Sequence, residues 1–151
     1  MTDVHTKKQR SKNMAAIRSK NTKPEITVRK TMYKMGLRYR LHRKDLPGKP
    51  DIVLGPVKLA LFVNGCFWHR HVNCKYAYNP KTRKNFWNKK FTDTIKRDIK
   101  NNIELEKLGW KSVVIWECET QDQDSLRDQI LKIIKLYKIK INNKSTINAV
   151  D

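Results

Sequence analysis

Three cysteines and one histidine constrain this chain more than any other feature. Cys66, His71 and Cys74 lie within nine residues, and Cys118 follows an apolar run further along the chain. Three thiolates and one imidazole form a closed tetrahedral set of ligands for structural zinc. The odd number of cysteines and the absence of an export signal argue against a disulfide framework. The alternative is a group of buried free cysteines beside surface histidines. We predict a zinc site, with Cys118 assigned by its position rather than by a motif.

The charge of the chain indicates a polyanionic partner. Its 151 residues hold 34 Lys and Arg against 14 Asp and Glu, a formal net charge of +20. Residues 1–49 contain 15 of the basic residues and 3 of the acidic ones, so this third of the chain has a balance of +12. A basic segment at one end suits the backbone of DNA, where each phosphate contact releases counterions. The alternative is a charged surface that only keeps the protein in solution.

An anionic membrane is the other polyanion to consider. No apolar run approaches the ~20 residues of a membrane-spanning helix, and the first ten residues lack the apolar core of a signal peptide. We therefore expect a soluble, cytoplasmic protein that has no membrane partner.

The first part of the chain predicts a helix followed by a strand. The capping box Thr22-x-x-Glu25 begins the helix, and Gly36 ends it in a left-handed cap. Apolar and basic residues then alternate over residues 37–42, which indicates a strand with one face in water.

The remaining pattern predicts a mixed α/β domain. Two apolar runs at 51–54 and 58–63 indicate a hairpin. After an irregular segment, apolar residues at every fourth position indicate an amphipathic helix that ends at Gly109, and a buried strand at 110–116 precedes a last helix. The order α, three β, α, β, α is that of one central mixed sheet flanked by helices.

The chain therefore divides into a core and two terminal segments. We expect a basic, DNA-contacting arm or helix at 1–21 and a mobile tail at 141–151. Between them, residues 22–140 form the folded domain, which carries a zinc-bound insert at 64–87.

Asp51 is a candidate ligand for a catalytic metal. It opens the first of two neighbouring core strands, which is how metal-dependent nucleases often present a carboxylate. Mg²⁺ takes a few oxygen ligands and keeps waters that can attack or protonate a phosphate. An aspartate near a turn can equally be a cap or a solvated charge.

His69 and Glu25 are the candidates to assist Asp51. His69 lies between two predicted zinc ligands, which would hold it rigidly as a general base. The alternative is that it supports or replaces a zinc ligand. Glu25 would steady a metal-bound water, or else serve only as the partner in the capping box.

Aromatic residues are concentrated around the predicted zinc ligands. Six of the 13 lie in residues 67–87, interleaved with lysines and arginines. This pattern suits side chains that wedge into a base stack while gripping phosphates, and stacking contributes ~1–3 kcal/mol per base. Unstacking costs least at a mismatch. The alternative is a small satellite core around the zinc. The six residues are Phe67, Trp68, Tyr76, Tyr78, Phe86 and Trp87.

Four blocks of sequence resemble one family, the very short patch repair (Vsr) DNA mismatch endonucleases. They occur in register over roughly residues 3–120, nearly the whole domain. The blocks are QRSKNM (residues 9–14), LPGKPD (46–51), FVNGCFWHRH (62–71), and GW (109–110) with VIWEC (114–118).

The resemblance implies both a fold and a reaction. The fold is similar to that of type II restriction endonucleases. The reaction is a strand-specific nick 5′ to the thymine of a T·G mismatch left by deamination of 5-methylcytosine. In the family, the residue matching Asp51 binds Mg²⁺, and the backbone carbonyl of Val63 is available to the same ion. The residue matching His69 is the general base, and Cys66, His71, Cys74 and Cys118 match zinc ligands.

The resemblance also assigns DNA contacts. Phe67, Trp68 and Trp87 match aromatic residues that intercalate beside the mismatch from the major groove. The N-terminal helix matches one that lies in the minor groove, and its assigned contacts are Lys12, Asn13 and Met14.

Two features bear on the catalytic assignment. Asn64 stands where the family often has a histidine that helps at the scissile phosphate, and an amide can donate a hydrogen bond but cannot shuttle a proton near neutral pH. A slower or altered reaction is expected from this. The acidic-x-Lys pair of ordinary restriction enzymes is missing from residues 58–63, as in the family, which leaves the role of the lysine to His69.

Two rival functions stay open. One is a restriction-type endonuclease on the same fold that cuts both strands, and the other is a zinc-containing DNA-binding protein without catalysis. Because a nick at an asymmetric lesion needs one active site, we expect a monomer. The resemblance also implies a functional link to a cytosine-5 DNA methyltransferase and to mismatch-repair proteins, at the bacterial nucleoid.

Overall fold

The predicted capping box begins the first helix. In the computed structural model, which describes residues 20–141, helix α1 spans Lys23–Lys34 and Thr22 is its N-cap. The Thr22 hydroxyl accepts a hydrogen bond from the Glu25 backbone N–H at 3.4 Å. Gly36 follows the helix with a φ of +91°, in the left-handed region that glycine enters without strain. The predicted start and end of this helix are confirmed.

Four strands form one mixed sheet in the order β1-β2-β3-β4. The antiparallel pairs are β1 with β2 and β2 with β3, whereas β3 and β4 are parallel. A 3-10 turn at Gly55–Val57 closes the predicted hairpin between β2 and β3. The strands are β1 (Arg40–Leu41), β2 (Ile52–Leu54), β3 (Leu59–Asn64) and β4 (Lys111–Trp116).

The first strand is much shorter than the predicted strand at 37–42. Leu37 is buried, and its N–H donates to the Met32 carbonyl at 3.0 Å, so this residue completes the end of α1 instead of pairing in the sheet. The Tyr39 hydroxyl donates to the Arg29 carbonyl at 2.8 Å, which ties that residue to the same helix. Over most of residues 37–42, the alternating pattern therefore reflects packing against α1 and not pairing in the sheet.

Two longer helices complete the domain. Helix α2 spans Lys84–Lys107 and helix α3 spans Gln123–Tyr137. Parallel strands need a crossover connection, and α2 lies in the connection between β3 and β4. Because α2 begins inside the predicted irregular segment 64–87, Phe86 and Trp87 lie on its first turn rather than in a loop.

Alternate residues of the hairpin contribute to two separate cores, one on each face of the sheet. The sheet is thus flanked by α1 and α3 on one face and by α2 on the other. The sequence predicted a central mixed sheet flanked by helices, and the structure adds which helix lies on which face. The first core includes Val28, Ile52, Leu54, Leu59, Leu61 and Ile130. The second includes Leu46, Val53, Ala60 and Leu105.

Three isoleucines of the predicted apolar face on α2 are exposed to solvent. Their exposed fractions are 41% for Ile95, 55% for Ile99 and 48% for Ile103, whereas Phe91 and Leu105 are buried. Ile103 lies about 200° around the helix axis from Leu105, because a helix turns about 100° per residue. The repeat of four predicts the helix correctly, but the face that packs on the sheet is another one.

The predicted arm at 1–21 and tail at 141–151 lie almost entirely outside the described residues. None of the helices within residues 20–141 is long and apolar enough to cross a membrane.

Candidate active site and metal centre

Asp51 lies at the edge of the sheet where β3 and β4 end. Its Oδ2 atom accepts a hydrogen bond from the Val63 N–H at 2.8 Å, and its backbone carbonyl accepts one from the His42 N–H at 3.1 Å. Since β2 runs antiparallel to β3, the start of one strand and the end of the other meet at this edge. The sheet therefore holds the Asp51 carboxylate against the last residues of β3.

Glu25, His42 and Asp51 form a cluster beside this edge. One ligand atom from each residue lies within 4.8 Å of the other two. The His42 Nε2 atom is 3.1 Å from Glu25 Oε1 and 3.0 Å from Glu25 Oε2. Arg29, one turn further along α1, donates to Glu25 Oε2 at 2.8 Å. Glu25 is thus more than a capping-box partner, because its buried side chain faces both His42 and Asp51.

The two carboxyl groups of this cluster have opposite pKa shifts. Burial raises the pKa of Asp51 to about 6, and the neighbouring Glu25 charge adds to the increase although the Val63 N–H opposes it. Burial also acts to raise the pKa of Glu25, but hydrogen bonds from His42 and Arg29 outweigh it and lower the pKa. Two carboxylates held this close repel each other unless a proton or a cation lies between them.

The four predicted zinc ligands come together in a second cluster. One ligand atom from each of Cys66, His71, Cys74 and Cys118 lies within 4.8 Å of the others. The His71 Nδ1 atom is 3.7 Å from the Cys66 sulfur and 3.4 Å from the Cys118 sulfur. His69 is not a member of the cluster. Three soft thiol donors and one imidazole suit a closed zinc site and leave no open position for catalysis.

Neighbouring groups fix the geometry of this cluster. The His71 ring stacks on the Trp116 indole with centroids 4.2 Å apart and an interplanar angle of 8°. The Cys118 N–H donates to the Cys66 sulfur at 3.4 Å. Burial raises the pKa of Cys66 to about 12, so the thiolate form is unfavourable without a cation beside it. A bound zinc ion would supply that charge.

His69 pairs with an acid that the sequence analysis did not identify. Its Nδ1 atom lies 2.7 Å from Asp98 Oδ2 on helix α2, and the two side chains are 30% and 35% exposed. Within residues 20–141, Asp98 is the hydrogen-bond partner of the His69 side chain, and no hydrogen bond joins His69 to Asp51. The backbone N–H of His69 donates to the Gly65 carbonyl at 3.1 Å, which keeps the residue in the turn directly after β3.

The aromatic residues form a cluster centred on Phe67. Its ring centroid lies 5.2 Å from those of Trp68 and Phe91, 5.4 Å from Trp87 and 4.9 Å from Tyr78. Such edge-to-face and tilted pairs contribute about 0.5–1.5 kcal/mol each beyond the burial of their area. The cluster is therefore partly the satellite core that the sequence analysis gave as the alternative.

Arg70 supports the aromatic cluster, a role that the sequence analysis did not identify. Its guanidinium lies 3.9 Å from the centroid of the Phe91 ring. The same group donates to the backbone carbonyls of Phe67, Ala77 and Tyr78 at 3.3, 3.0 and 3.0 Å. A left-handed backbone at Arg70, with φ of +56°, points to a position fixed by its surroundings.

Comparisons with known proteins show to which family the chain belongs. The family model described as DNA mismatch endonuclease Vsr matches residues 2–75. The chain is 37% identical over 131 residues to the DNA mismatch endonuclease Vsr of Escherichia coli, covering 87% of this chain and 83% of that protein. The chain belongs to the Vsr family of DNA mismatch endonucleases.

Two further relatives match this chain over almost their whole length. The type II nicking enzyme V.NmeAIP of Neisseria meningitidis is 44% identical over 138 residues, covering 91% of this chain and 98% of that protein. The type II nicking enzyme V.XorIIP of Xanthomonas oryzae is 42% identical over 134 residues, covering 89% and 98%. As a Vsr endonuclease, the chain is a hydrolase that acts on DNA.

The fold brings parts of three of the four sequence blocks that resemble the Vsr family to one edge of the sheet. The block at 46–51 ends in Asp51, the block at 62–71 begins in β3, and the last block ends at Cys118 after β4. Asn64 is the half-buried last residue of β3. The assigned contacts in the first Vsr block, Lys12, Asn13 and Met14, lie outside the described residues.

Proposed function

We propose that this Vsr endonuclease nicks DNA 5′ to the thymine of a T·G mismatch left by deamination of 5-methylcytosine. The observation that carries the proposal is the pair of carboxylates, Asp51 and Glu25, packed together at the sheet edge where the Vsr blocks meet. Such a concentration of negative charge can hold a divalent cation, which promotes hydrolysis of a phosphodiester. The fold is proposed to be that of type II restriction endonucleases.

Asp51 and the backbone carbonyl of Val63 would hold the Mg²⁺ ion. Asp51 Oδ2 is engaged by the Val63 N–H, which leaves its other oxygen for the ion. In a strand, the N–H and C=O of one residue point to the same side, so the Val63 carbonyl lies on the Asp51 side of β3. When bound, the ion polarises the scissile phosphate and stabilises the developing charge. Glu25 completes the negative surroundings.

His69 is proposed as the general base for the attacking water. Asp98 holds the proton of the neutral ring on Nδ1, so that the lone pair is on Nε2 and can accept a proton from water. The same carboxylate then stabilises the imidazolium that forms. Positioned general bases typically contribute a factor of about 10²–10⁴ to the rate.

Asn64 is proposed to position the phosphate without moving a proton. Asn64 is the last residue of β3, directly after Val63, and the loop that carries His69 follows it. The side-chain amide of Asn64 does not titrate near neutral pH, so it can donate a hydrogen bond to a phosphate oxygen throughout that range. The leaving sugar oxygen would then take its proton from solvent.

The aromatic cluster is proposed to enter the duplex at the mismatch. Phe67, Trp68 and Trp87 are its assigned intercalating members, and each is only half-buried. Cations accompany them, since Lys90 Nζ lies 5.7 Å from the centroid of the Trp68 ring. Rings and cations on one surface suit stacking on bases while phosphates are neutralised. Lys12, Asn13 and Met14 are proposed minor-groove contacts on the family resemblance.

The zinc cluster is proposed to be structural. Cys66 and His71 flank the proposed general base and two of the proposed intercalating rings. A zinc ion bound by the cluster would therefore fix the loop after β3 against the end of β4. We further propose that the enzyme acts as a monomer at the bacterial nucleoid. Its proposed partners are a cytosine-5 DNA methyltransferase and mismatch-repair proteins.

A strand-cleavage assay tests the function. Duplexes that differ only in a T·G or T·A pair, with each strand labelled in turn, are incubated with the enzyme and Mg²⁺. We expect one nick, 5′ to the mismatched thymine, that Asp51→Ala and His69→Ala abolish. Cutting of both strands of the matched duplex would instead identify a restriction-type enzyme. Binding without any cleavage by the wild type would identify a non-catalytic DNA-binding protein.

A further inference from the structure

The fold holds His42 in a fixed and largely buried position beside the proposed metal site. Its side chain is 22% exposed, while that of Glu25 is 2% exposed. The His42 backbone has a φ of +48°, a conformation that residues with a side chain rarely adopt. Its N–H donates to the Asp51 carbonyl, so the fold fixes His42 relative to the carboxylate across the β1–β2 pair.

The side chain of His42 is turned towards both carboxylates rather than towards solvent. Its Nε2 atom approaches both oxygens of Glu25, at 3.1 and 3.0 Å. Nε2, one oxygen of Glu25 and one oxygen of Asp51 all lie within 4.8 Å of one another. Three donor atoms thus converge, one from helix α1, one from the residue after β1 and one from the residue before β2.

We propose that His42 Nε2 is a protein ligand of the divalent ion, in a Glu25–His42–Asp51 set of one nitrogen and two carboxylates. This inference rests on the proposed function, because it names a further residue of the same metal site. Mg²⁺ prefers all-oxygen surroundings, whereas imidazole favours first-row transition ions. The site should therefore bind Mn²⁺ more tightly than Mg²⁺. The competing arrangement has His42 as a charged partner of Glu25 only, with no atom of His42 bound to the ion.

Arg29 completes the surroundings of the set. Its guanidinium donates to Glu25 Oε2 at 2.8 Å and to the Asn21 side-chain oxygen at 2.8 Å. The Glu25 carboxylate is therefore oriented from the helix side, and its Oε1 atom also accepts from the Asn21 N–H at 3.3 Å. When ionised, Glu25 and Asp51 together carry two negative charges against the one positive charge of Arg29, and a divalent ion would offset the excess.

Pulsed electron paramagnetic resonance on bound Mn²⁺ tests the proposal directly. The full chain, with its cysteine cluster filled by Zn²⁺, is loaded with Mn²⁺ without DNA, and electron spin echo modulation from ¹⁴N reports a nitrogen ligand. We expect ¹⁴N modulation in the wild type and in His69→Gln, and its loss in His42→Gln. We also expect Mn²⁺ to bind His42→Gln about tenfold more weakly, with a smaller effect on Mg²⁺.

Two outcomes overturn the proposal: no ¹⁴N modulation in the wild type, or modulation that persists in His42→Gln. If His42→Gln does not fold by circular dichroism, His42→Asn replaces it. Labelling His69→Gln with ¹⁵N-histidine provides a measurement without substitution of His42, since the modulation must change to that of ¹⁵N. An enzyme that nicks T·G duplexes without nitrogen coupling would refute this inference alone. Nitrogen coupling in a protein that never nicks would refute only the proposed function.

Discussion

The Nδ1 atom of His69 lies 2.7 Å from the Oδ2 atom of Asp98, 29 residues away on helix α2. This pair connects the loop after β3 to helix α2. A carboxylate at Nδ1 selects the ring tautomer whose Nε2 is an acceptor, and it restrains the rotation of the ring. Asp98 is therefore a positioning residue for the proposed general base.

Removing the Asp98 carboxylate should slow nicking without abolishing it. We expect Asp98→Ala to lower kcat by about 10–100-fold, by analogy with the loss of a carboxylate that orients a metal-bound histidine. Asp98→Asn should recover part of the loss, because its amide oxygen can accept the same hydrogen bond. Single-turnover nicking of a T·G duplex measures the effect. Asp93→Ala, which removes an exposed acid from the same helix, is the control, and wild-type kinetics in Asp98→Ala would show that the pair has no role.

Removing zinc should lower thermal stability. The cysteine cluster joins the loop after β3 to the residues after β4, so its loss releases both segments. We expect a strong chelator to extract one zinc ion per chain and to lower Tm by about 10 °C, which corresponds to a few kcal/mol in a domain of this size. Elemental analysis and differential scanning fluorimetry measure the two quantities. His71→Ala should reproduce the loss, whereas Val72→Ala, at a side chain 77% exposed, should not. A zinc-free native protein of unchanged Tm would contradict the prediction.

Asp51→Asn should stabilise the protein while it eliminates nicking. Burial raises the pKa of Asp51 to about 6, so in the folded state its ionised form is disfavoured compared with the unfolded chain. The wild type therefore loses stability as the pH rises from about 4 to 6, and on the order of 1–3 kcal/mol is lost above that range. The variant avoids this loss.

The Tm difference between Asp51→Asn and wild type, measured without Mg²⁺ and with zinc retained, checks this expectation. It should be largest at pH 7–8 and should disappear near pH 4. Asp45→Asn is a control of opposite sign, because the hydrogen bond from Arg43 lowers the pKa of the Asp45 carboxyl. A variant of Asp51 that is less stable than wild type at pH 8 would show that the carboxylate stabilises the fold.

Truncating Trp68 should reduce the preference of the enzyme for T·G over T·A duplexes and should have little effect on its stability. Trp68 is at the margin of the aromatic cluster, whereas Phe67 contacts four other rings. Loss of one stacked ring costs about 1–3 kcal/mol, so we expect Trp68→Ala to weaken binding to a T·G duplex by roughly 10–100-fold. Phe67→Ala should lower Tm as well.

Fluorescence anisotropy with T·G and T·A duplexes at one fixed salt concentration measures this preference. Tyr33→Ala, which removes an exposed ring from α1, should leave both affinities unchanged. Equal losses of affinity for the two duplexes in Trp68→Ala would mean that the ring contributes to DNA binding in general and not to mismatch recognition.

Much of the fold and part of the site could be predicted from the sequence, because local signals specify them. The capping box fixes the start of α1, and the apolar runs separated by Gly55-Pro56 fix the β2–β3 hairpin. The ligand pair His71 and Cys74 is also local. These features depend on residues a few positions apart, for which backbone preferences and turn chemistry are sufficient.

Other features were decided by the way distant elements meet. The parallel register places Asn64 opposite Trp116, so that Cys66 and Cys118, each two residues further on, arrive at the same point. Hydrophobic period alone could not tell that Ile99 faces solvent, since the packing of the sheet selects which side of α2 is buried. The pairing of His69 with Asp98 and of His42 with Glu25 joins separate elements. Sequence spacing carries no signal for such contacts, because side chains far apart in the chain meet only when the register of the strands and the rotation of the helices have been set by burial of the two cores.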